Sequence, residues 1–436
     1  MLHGLCPGTS SNPPCWFKDI SLLHTGTAAC CQHNKPGGCP VQAVDIFVCA
    51  TSCKDFSKAN PHKQTTKPGG ESARTLSGML KYLDMYRPPL FLFENVDSID
   101  DTASGQSCSD MDIAMSSWAS IGYECQRVAV NSKEFGIPAS RSRMLVVGVQ
   151  TIANAALDFS ERPLSAVFTS LRSLIRVCQR THSCASEVLL PSNHVAVLQE
   201  LARRQDVKKT ASGPTKTTSI AGYNIAKAMD AAMQRGVQWG SFGPPPGAKA
   251  DAWFNTLTKQ QQDAVSFSLR VNPGDLLFRD VSQSLGLTRL STRSAAQDSA
   301  NGYRHCAAAV LPNQMMMVFT AGHPFRLLLG REALVLQGFP SEDPSLSELI
   351  ASASEAQMAD LAGNMVSTPI LLALAMAAIS SVSWKEKPRA QASTTAEACA
   401  AAWSLFQSLV PSESSELSIS SEEPVPNPSG PKRQRR

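Results

Sequence analysis

A cysteine can act as a nucleophile only where its sulfur reaches a substrate as a thiolate, so its surroundings decide its use. Cys53 stands in Thr51-Ser52-Cys53-Lys54-Asp55-Phe56-Ser57, directly after an apolar run, and Lys54 beside it is a cation able to depress a thiol pKa. Glu94 opens Glu94-Asn95-Val96, directly after Leu90-Phe91-Leu92-Phe93. Alone, either residue has an ordinary explanation: an inert thiol, a solvated loop carboxylate. Together they lie 41 positions apart, at the ends of two consecutive apolar runs joined by one helical pattern. That arrangement predicts neighbours at one sheet edge. Three further segments follow. Phe135-Gly136-Ile137-Pro138-Ala139-Ser140-Arg141-Ser142-Arg143 carries two arginines at i, i+2, which share a strand face. Arg331 to Pro340 ends in Gln337-Gly338-Phe339-Pro340, and Gly363-Asn364-Met365-Val366 opens an apolar stretch.

The elements that must position these residues are legible as alternating periods. Val44 to Ala50 is a short apolar run ending in small residues, the pattern of a buried parallel strand. Ala73 to Met85 has helical spacing and is stopped by Pro88-Pro89. A strand is expected at Leu90–Phe93, a helix at Asp110–Ile121, and strands at Arg127–Val130 and Met144–Val149. This order predicts an α/β domain with a mostly parallel sheet. Residues 151–320 lose the rhythm. They hold helix patterns at Ser186–Arg203, Ile220–Gln234 and Leu257–Leu269, the run Gly243 to Gly247, and scattered basic residues including Arg203, Arg204, Lys208 and Lys209. A separate irregular region is expected there. Regular packing resumes near Ala321, with a helix start at Arg331–Gln337 and an apolar helix at Met365–Ile379. The expected divisions are 1–150, 151–320, 321–384 and a tail, 385–436. The tail holds a weak helix pattern at Ala396–Leu409, and residues 411–436 have a disordered composition.

Composition sets wider bounds. The 436 residues are 43% hydrophobic and 17% charged, which excludes a fully disordered, collagen-like or coiled-coil chain. A net charge of +4 permits an anionic partner without demanding one. No run reaches the ~18 consecutive apolar residues of a membrane helix, so no membrane partner is expected. Met1 to Pro14 shows no secretory pattern. The thirteen cysteines are odd in number and spread along the chain, unlike a disulfide framework. Reduced thiols in cytosol or nucleus are expected. Cys30-Cys31-Gln32-His33 with Cys39 fits no standard four-ligand spacing and has no paired downstream Cys-x-x-Cys, so no metal is expected.

The ordered set of segments resembles the cytosine-C5 DNA methyltransferases. That family carries Pro-Cys-Gln, then Glu-Asn-Val, then Gln-x-Arg-x-Arg, a variable target-recognition region, Gln-Gly-Phe-Pro and a late Gly-Asn. The match runs from about residue 17 to 384. It implies a Rossmann-like S-adenosylmethionine-dependent methyltransferase sheet with a smaller irregular target-recognition domain. It implies Cys53 as the nucleophile, Glu94 on the N3 edge and exocyclic amine, and Arg143 on the base carbonyl. Arg141 would support the loop or a nearby phosphate, and Asn95 would be a structural hydrogen-bonder. The resemblance implies S-adenosylmethionine as cofactor, with Asp19 against its adenine and Ala50 and Asn364 lining the same pocket. It further implies double-stranded DNA with the target cytosine flipped out as the partner, with RNA the lesser alternative, and a chain that acts as a monomer.

The departures are specific. The family's apolar strand ending in Phe-x-Gly-x-Gly should precede Asp19, and Met1 to Trp16 does not supply it. The sheet is therefore expected to be N-terminally truncated, with an open edge. Ser52-Cys53-Lys54 replaces Pro-Cys-Gln, Ala139 replaces the first Gln of the arginine motif, and Leu329 stands where Thr is common. Two other readings follow: a non-catalytic DNA-binding pseudoenzyme or fragment, and the transfer-RNA branch, whose Cys-Phe-Thr signature is not found. Lys432-Arg433-Gln434-Arg435-Arg436 predicts a nuclear address.

Overall fold

The computed structural model describes residues 15–385 with breaks at 58–69, 103–106, 153–155, 212–228, 231–232, 235–251, 272–276, 282–305 and 321–322 and at single positions elsewhere. Most of the helix expected at Ile220–Gln234 lies outside the described residues. So do Gly243–Gly247, the side chains of Lys208 and Lys209, and the tail beyond residue 385. The described residues before Lys385 form one compact unit.

The chain starts with a small pair of strands, β1 (Thr27–Ala28) and β2 (Cys39–Pro40), behind a 3-10 helix at Ile20–Thr25. The main sheet follows: β3 (Ile46–Ala50), helix α1 (Glu71–Tyr86), β4 (Leu90–Val96), helix α2 (Asp110–Ser120) and β5 (Tyr123–Asn131). After the two-residue β6 (Ala139–Ser140) comes β7 (Ser142–Gln150). The helices start and stop for local reasons. Arg87 caps α1 with φ +46 and donates its N–H to Leu83 just before Pro88-Pro89. Ser109 and Asp112 form a reciprocal capping box at the start of α2.

The sheet order is β3-β4-β7-β5. β3, β4 and β5 run in one direction, and β7, inserted between β4 and β5, runs against both neighbours. The sheet is thus mixed through this one strand. The physical cause is the short connection after β5: residues 132–141 cannot make a parallel crossover, which needs a dozen or more residues. β3 forms one edge, where Val48 is 52% exposed.

Both faces of the sheet are covered. On one, Phe91, Phe93, Met79, Leu83, Met111 and Trp118 form a core in which Phe91 meets Trp118 and Tyr123 at ring distances of 5.0 and 5.1 Å. On the other, Leu90, Leu92, Leu145 and Val147 pack beneath helix α3 (Leu164–Val177) and a late apolar helix, Thr368–Ser381. The border expected at 150/151 therefore divides packed neighbours. Val167, Leu171 and Ile175 recur at helical spacing, and this stripe finds its burial on the sheet domain. The short strand β8 (Leu157–Asp158) likewise pairs with Ser383–Trp384.

The middle of the chain has its own core. Helices α4 (Val195–Ala211), α5 (Ala252–Thr256) and α6 (Lys259–Val271) bury Val197, Trp253, Phe254 and Val265 with Val281, Met317 and Leu327. Its antiparallel sheet comprises β9 (Leu277–Asp280), the later β11 (Met316–Thr320) and β12 (His323–Leu327); β10 (Ala307–Ala308) pairs instead with β6. The border expected at 320/321 falls inside the hairpin of β11 and β12. The chain then forms α7 (Gly330–Val335), α8 (Ser347–Ser352), α9 (Glu355–Asn364) and α10 (Thr368–Ser381). Pro369 at the first turn makes α10 begin after Ser367, later than its apolar pattern suggests. Glu355–Ser381 is apolar and long enough to cross a membrane by composition, but it is two helices, and Ile370, Ala373, Leu374 and Ala377 are buried in the core.

Candidate active site

Strand register brings the first two residues together. Ala50 ends β3 directly beside Glu94 on β4, and the chain reaches Cys53 three residues later. The thiol of Cys53 is free and exposed. Its loop is clamped at both ends. The Asn95 amide, 1% exposed, donates to the Thr51 hydroxyl at 3.0 Å and the Thr51 carbonyl at 3.3 Å. Ser98 donates to the Phe56 carbonyl at 2.7 Å, and Phe56 is fully buried. Behind the loop, Ser72 N–H donates to Asp55 at 2.8 Å and Thr75 accepts from Ser52 N–H at 3.2 Å. Six side chains thus shape a loop that lacks the family's proline. The Lys54 ammonium pairs with Glu71 at 2.7 Å on the surface, and that partner chiefly raises its pKa, with Cys53 and Asp55 adding to the rise.

Glu94 faces Leu145 on β7, so Arg143, two residues away, shares its face as a diagonal neighbour. Arg143 Nε lies 2.7 Å from Glu94 Oε1, with both side chains 11% exposed. The two charges are close, but no donor is aligned on that oxygen, and Glu94 Oε1 is a buried acceptor with no hydrogen bond among the described residues. A buried carboxylate in that condition is ready for an aligned donor from a ligand.

Arg141 does something different from its neighbour. It is 4% exposed and donates to the carbonyls of Val310 at 3.1 Å, Gly363 at 3.4 Å and Met365 at 2.9 Å. It therefore locks the segment at Val310 and the end of α9 onto the sheet, and its burial leaves no exposed surface for a phosphate. Its pKa is lowered to about 10, chiefly by burial and then by Arg143, against the opposing charges of Glu94 and Cys53. Asn131 orders this turn, accepting the backbone N–H of Arg141 at 3.1 Å and of Lys133 at 3.2 Å. The sequence signal for it was a capping box, Asn131 to Glu134.

The remaining candidates are dispersed in role. Asp19 caps the 3-10 helix: Oδ1 accepts from Ser21 N–H at 2.9 Å and Oδ2 meets Arg74 at 3.1 Å. The Ser21 bond chiefly holds its pKa below the usual carboxylate range, despite a contrary desolvation effect. Ala50 is exposed at the end of β3. Asn364 folds its amide back to the Asp360 carbonyl at 3.0 Å and is exposed. Its neighbours carry the contacts: Gly363 presses so close that an added Cβ would meet Pro312 N at 2.2 Å. Gln337 is fully buried and accepts from Ser367 at 2.9 Å, so the Gln-Gly-Phe-Pro segment holds the start of α10.

Near the N-terminus, where the spacing predicts no metal, four potential ligands come together. Cys15, Cys30, His33 and Cys39 present their ligand atoms within 4.8 Å of one another. Counting spacing from Cys30 and Cys31 missed this because the fourth member is Cys15. An antiparallel bridge between Phe17 and Cys30 brings it across.

A mixed sheet with a clamped cysteine loop at the end of one strand and a buried carboxylate–arginine pair on the next defines the class. Residues 31–380 match the model of the C-5 cytosine-specific DNA methylases, and the chain belongs to that family. It is 26% identical over 395 residues to the "DNA (cytosine-5-)-methyltransferase DMT5" of Cryptococcus neoformans, covering 84% of this chain and 15% of that protein. It is 24% identical over 123 residues to the "Type II methyltransferase M.Sau3AI" of Staphylococcus aureus, covering 28% of this chain and 30% of the relative. Among solved structures, the S. pombe Dnmt2 methyltransferase aligns over 76% of each chain at 13% identity and a TM-score of 0.33. The chain thus spans under a third of these two sequence relatives.

Proposed function

We propose that this chain methylates C5 of cytosine in double-stranded DNA through a covalent adduct on Cys53. The observation that carries the reading is the Glu94–Arg143 pair with an unsatisfied carboxylate oxygen, set one strand from the exposed Cys53 thiol. Cytosine C5 is a poor nucleophile. A Cys53 thiolate adding to C6 makes the ring an enamine and C5 reactive. Glu94 bonds the N3 edge and exocyclic amine and stabilises the charge that builds on addition. Arg143 holds the base carbonyl oxygen with the donors not engaged by Glu94 and by the Ser142 carbonyl at 2.7 Å. Removal of the C5 proton by a base then returns the electrons to the ring, and the Cys53 sulfur departs. A stacked base cannot reach this thiol, so the cytosine is flipped out. Arg141 is a positioning residue here, since both of its terminal guanidinium nitrogens donate to backbone carbonyls and the side chain is buried.

S-adenosylmethionine, the donor this family implies, supplies an electrophilic methyl group when bound. Ala50 and Asp19 fit it: Ala50 is exposed at the carboxyl end of a parallel strand, where ligands of such sheets sit. The Asp19 carboxylate accepts one backbone bond and one guanidinium contact, which leaves acceptor capacity for an amine. Asn364 does not fit as drawn from the resemblance, because its amide is committed to Asp360.

The test is transfer of labelled methyl from S-adenosylmethionine to duplex DNA, with matched RNA in parallel. Label is expected in DNA, at background in RNA, and absent with Cys53→Ser. Label in RNA alone would reassign the substrate. A folded chain that binds DNA and transfers nothing would make it a non-catalytic binder.

A further inference from the structure

We propose that Cys15, Cys30, His33 and Cys39 bind one zinc ion in a closed, structural Cys3His site. Three extended segments carry the sulfurs to one point. Residues 15–18 lie against 27–31 through the Phe17–Cys30 bridge and the bond from Cys31 N–H to the Trp16 carbonyl at 2.7 Å. The pairing of β1 with β2 sets Cys39 opposite Ala28. The return to Cys39 needs Gly37 and Gly38, at φ +82 and +85, where a Cβ on Gly38 would strike the Ala28 carbonyl oxygen at 2.5 Å. His33 enters from the turn between.

The distances single out a metal. His33 Nδ1 lies 3.4 Å from Cys15 Sγ, 3.5 Å from Cys30 Sγ and 3.4 Å from Cys39 Sγ. A neutral ring nitrogen has one proton or one lone pair, so it cannot hydrogen-bond three sulfurs at once. A disulfide does not account for the cluster either: all three cysteines are free, and a bond between two would leave the third unexplained. A tetrahedral zinc with Zn–S near 2.3 Å and Zn–N near 2.0 Å places S and N about 3.6 Å apart, close to what is seen. Cys30 Sγ also accepts the backbone N–H of Trp16 at 3.2 Å and of Gln32 at 3.4 Å. Such bonds orient and stabilise a metal thiolate. Four protein ligands fill the tetrahedron and two of them, Cys30 and Cys39, are buried. With no position open for water or substrate, the ion's role is to hold structure. On binding, the three thiols give up their protons to solvent and their sulfur lone pairs to the metal. The loop it closes encloses the 3-10 helix capped by Asp19, which packs on Gly78 of α1.

The experiment measures metal in the full chain, purified from zinc-supplemented cells and dialysed. One zinc per chain is expected, and reconstitution with cobalt(II) should give the visible bands of a tetrahedral thiolate site. Cys39→Ser and His33→Ala should lose the metal equivalent, while Cys31→Ser, whose exposed thiol is outside the cluster, should keep it. A wild-type chain that unfolds cooperatively yet holds no stoichiometric metal would overturn the proposal. So would a Cys39→Ser chain that retains its full equivalent.

Discussion

Glu94 and Arg141 have separate roles in the candidate site, and each makes a distinct prediction. Glu94→Gln keeps the shape of the side chain but removes the charge that offsets Arg143 and stabilises the adduct. Methyl transfer should fall about 10²–10³-fold, by analogy with loss of one stabilising group at a reacting centre, with DNA binding little changed. Steady-state kinetics with unchanged turnover would remove Glu94 from the chemistry. Arg141→Leu should act on folding instead, because Val310, Gly363 and Met365 lose their donor. Each buried carbonyl left bare costs about 1–3 kcal/mol, so urea unfolding should shift by several kcal/mol; a shift below ~1 kcal/mol would contradict the assignment. Arg141 and Arg143 are two residues apart, and an i, i+2 spacing predicts one shared face. The structure divides them: Arg143 meets the carboxylate, and Arg141, between β6 and β7, turns to the backbone of α9. Nothing in an i, i+2 pattern distinguishes a ligand-facing guanidinium from one consumed by carbonyls 169 and 222 positions away.

Elements β3, α1, β4 and α2 were legible because each has one strong period and a chemical stop: Pro88-Pro89 after α1, Ser109 before α2. The direction of β7 was not, since a short apolar run reads the same in either sense and only its connection length decides. α2 offers a pH test. The Ser109 bonds chiefly hold the Asp112 pKa below the ordinary carboxylate value, with Arg127 contributing. A carboxylate depressed in the folded state stabilises fully above its unfolded pKa, and that contribution fades as pH falls through the folded value. Unfolding midpoints of wild type should therefore drop below about pH 4, while Asp112→Asn should lose that part of the acid limb. Parallel curves would refute the coupling. Packing gives a second test: a Cβ on Gly148 would lie 2.0 Å from the ring of Phe91. Gly148→Ala should cost about 1–3 kcal/mol in chemical denaturation, and a neutral result would mean that the sheet has room there.

At the scale of the whole chain, the middle region is tied to the start of α7 by buried polar contacts that carry no period. Arg326 and Glu332 pair at 2.6 Å at 6% and 1% side-chain exposure, and Glu332 also accepts the backbone N–H of Leu190 at 2.7 Å and of Leu329 at 2.8 Å. Glu332→Ala leaves a buried guanidinium unpaired, which should cost about 3–5 kcal/mol by urea denaturation; a loss under ~1 kcal/mol would show that the region is held otherwise. Such ties join residues far apart in sequence, as do Cys15 and Cys39, and single-sequence patterns report only near neighbours. The site's residue types were readable as an ordered set of short segments. Their supports, from Asn95 on Thr51 to Arg141 on Gly363, became visible only with the fold. The central claim is the covalent adduct, and duplex DNA carrying 5-fluorocytosine tests it most directly, because fluorine cannot leave as a proton. With S-adenosylmethionine present, wild-type chain should form a denaturation-resistant complex of the summed mass, and Cys53→Ser should form none. A folded, DNA-bound wild-type chain that forms no adduct, or an adduct that persists in Cys53→Ser, would contradict the account.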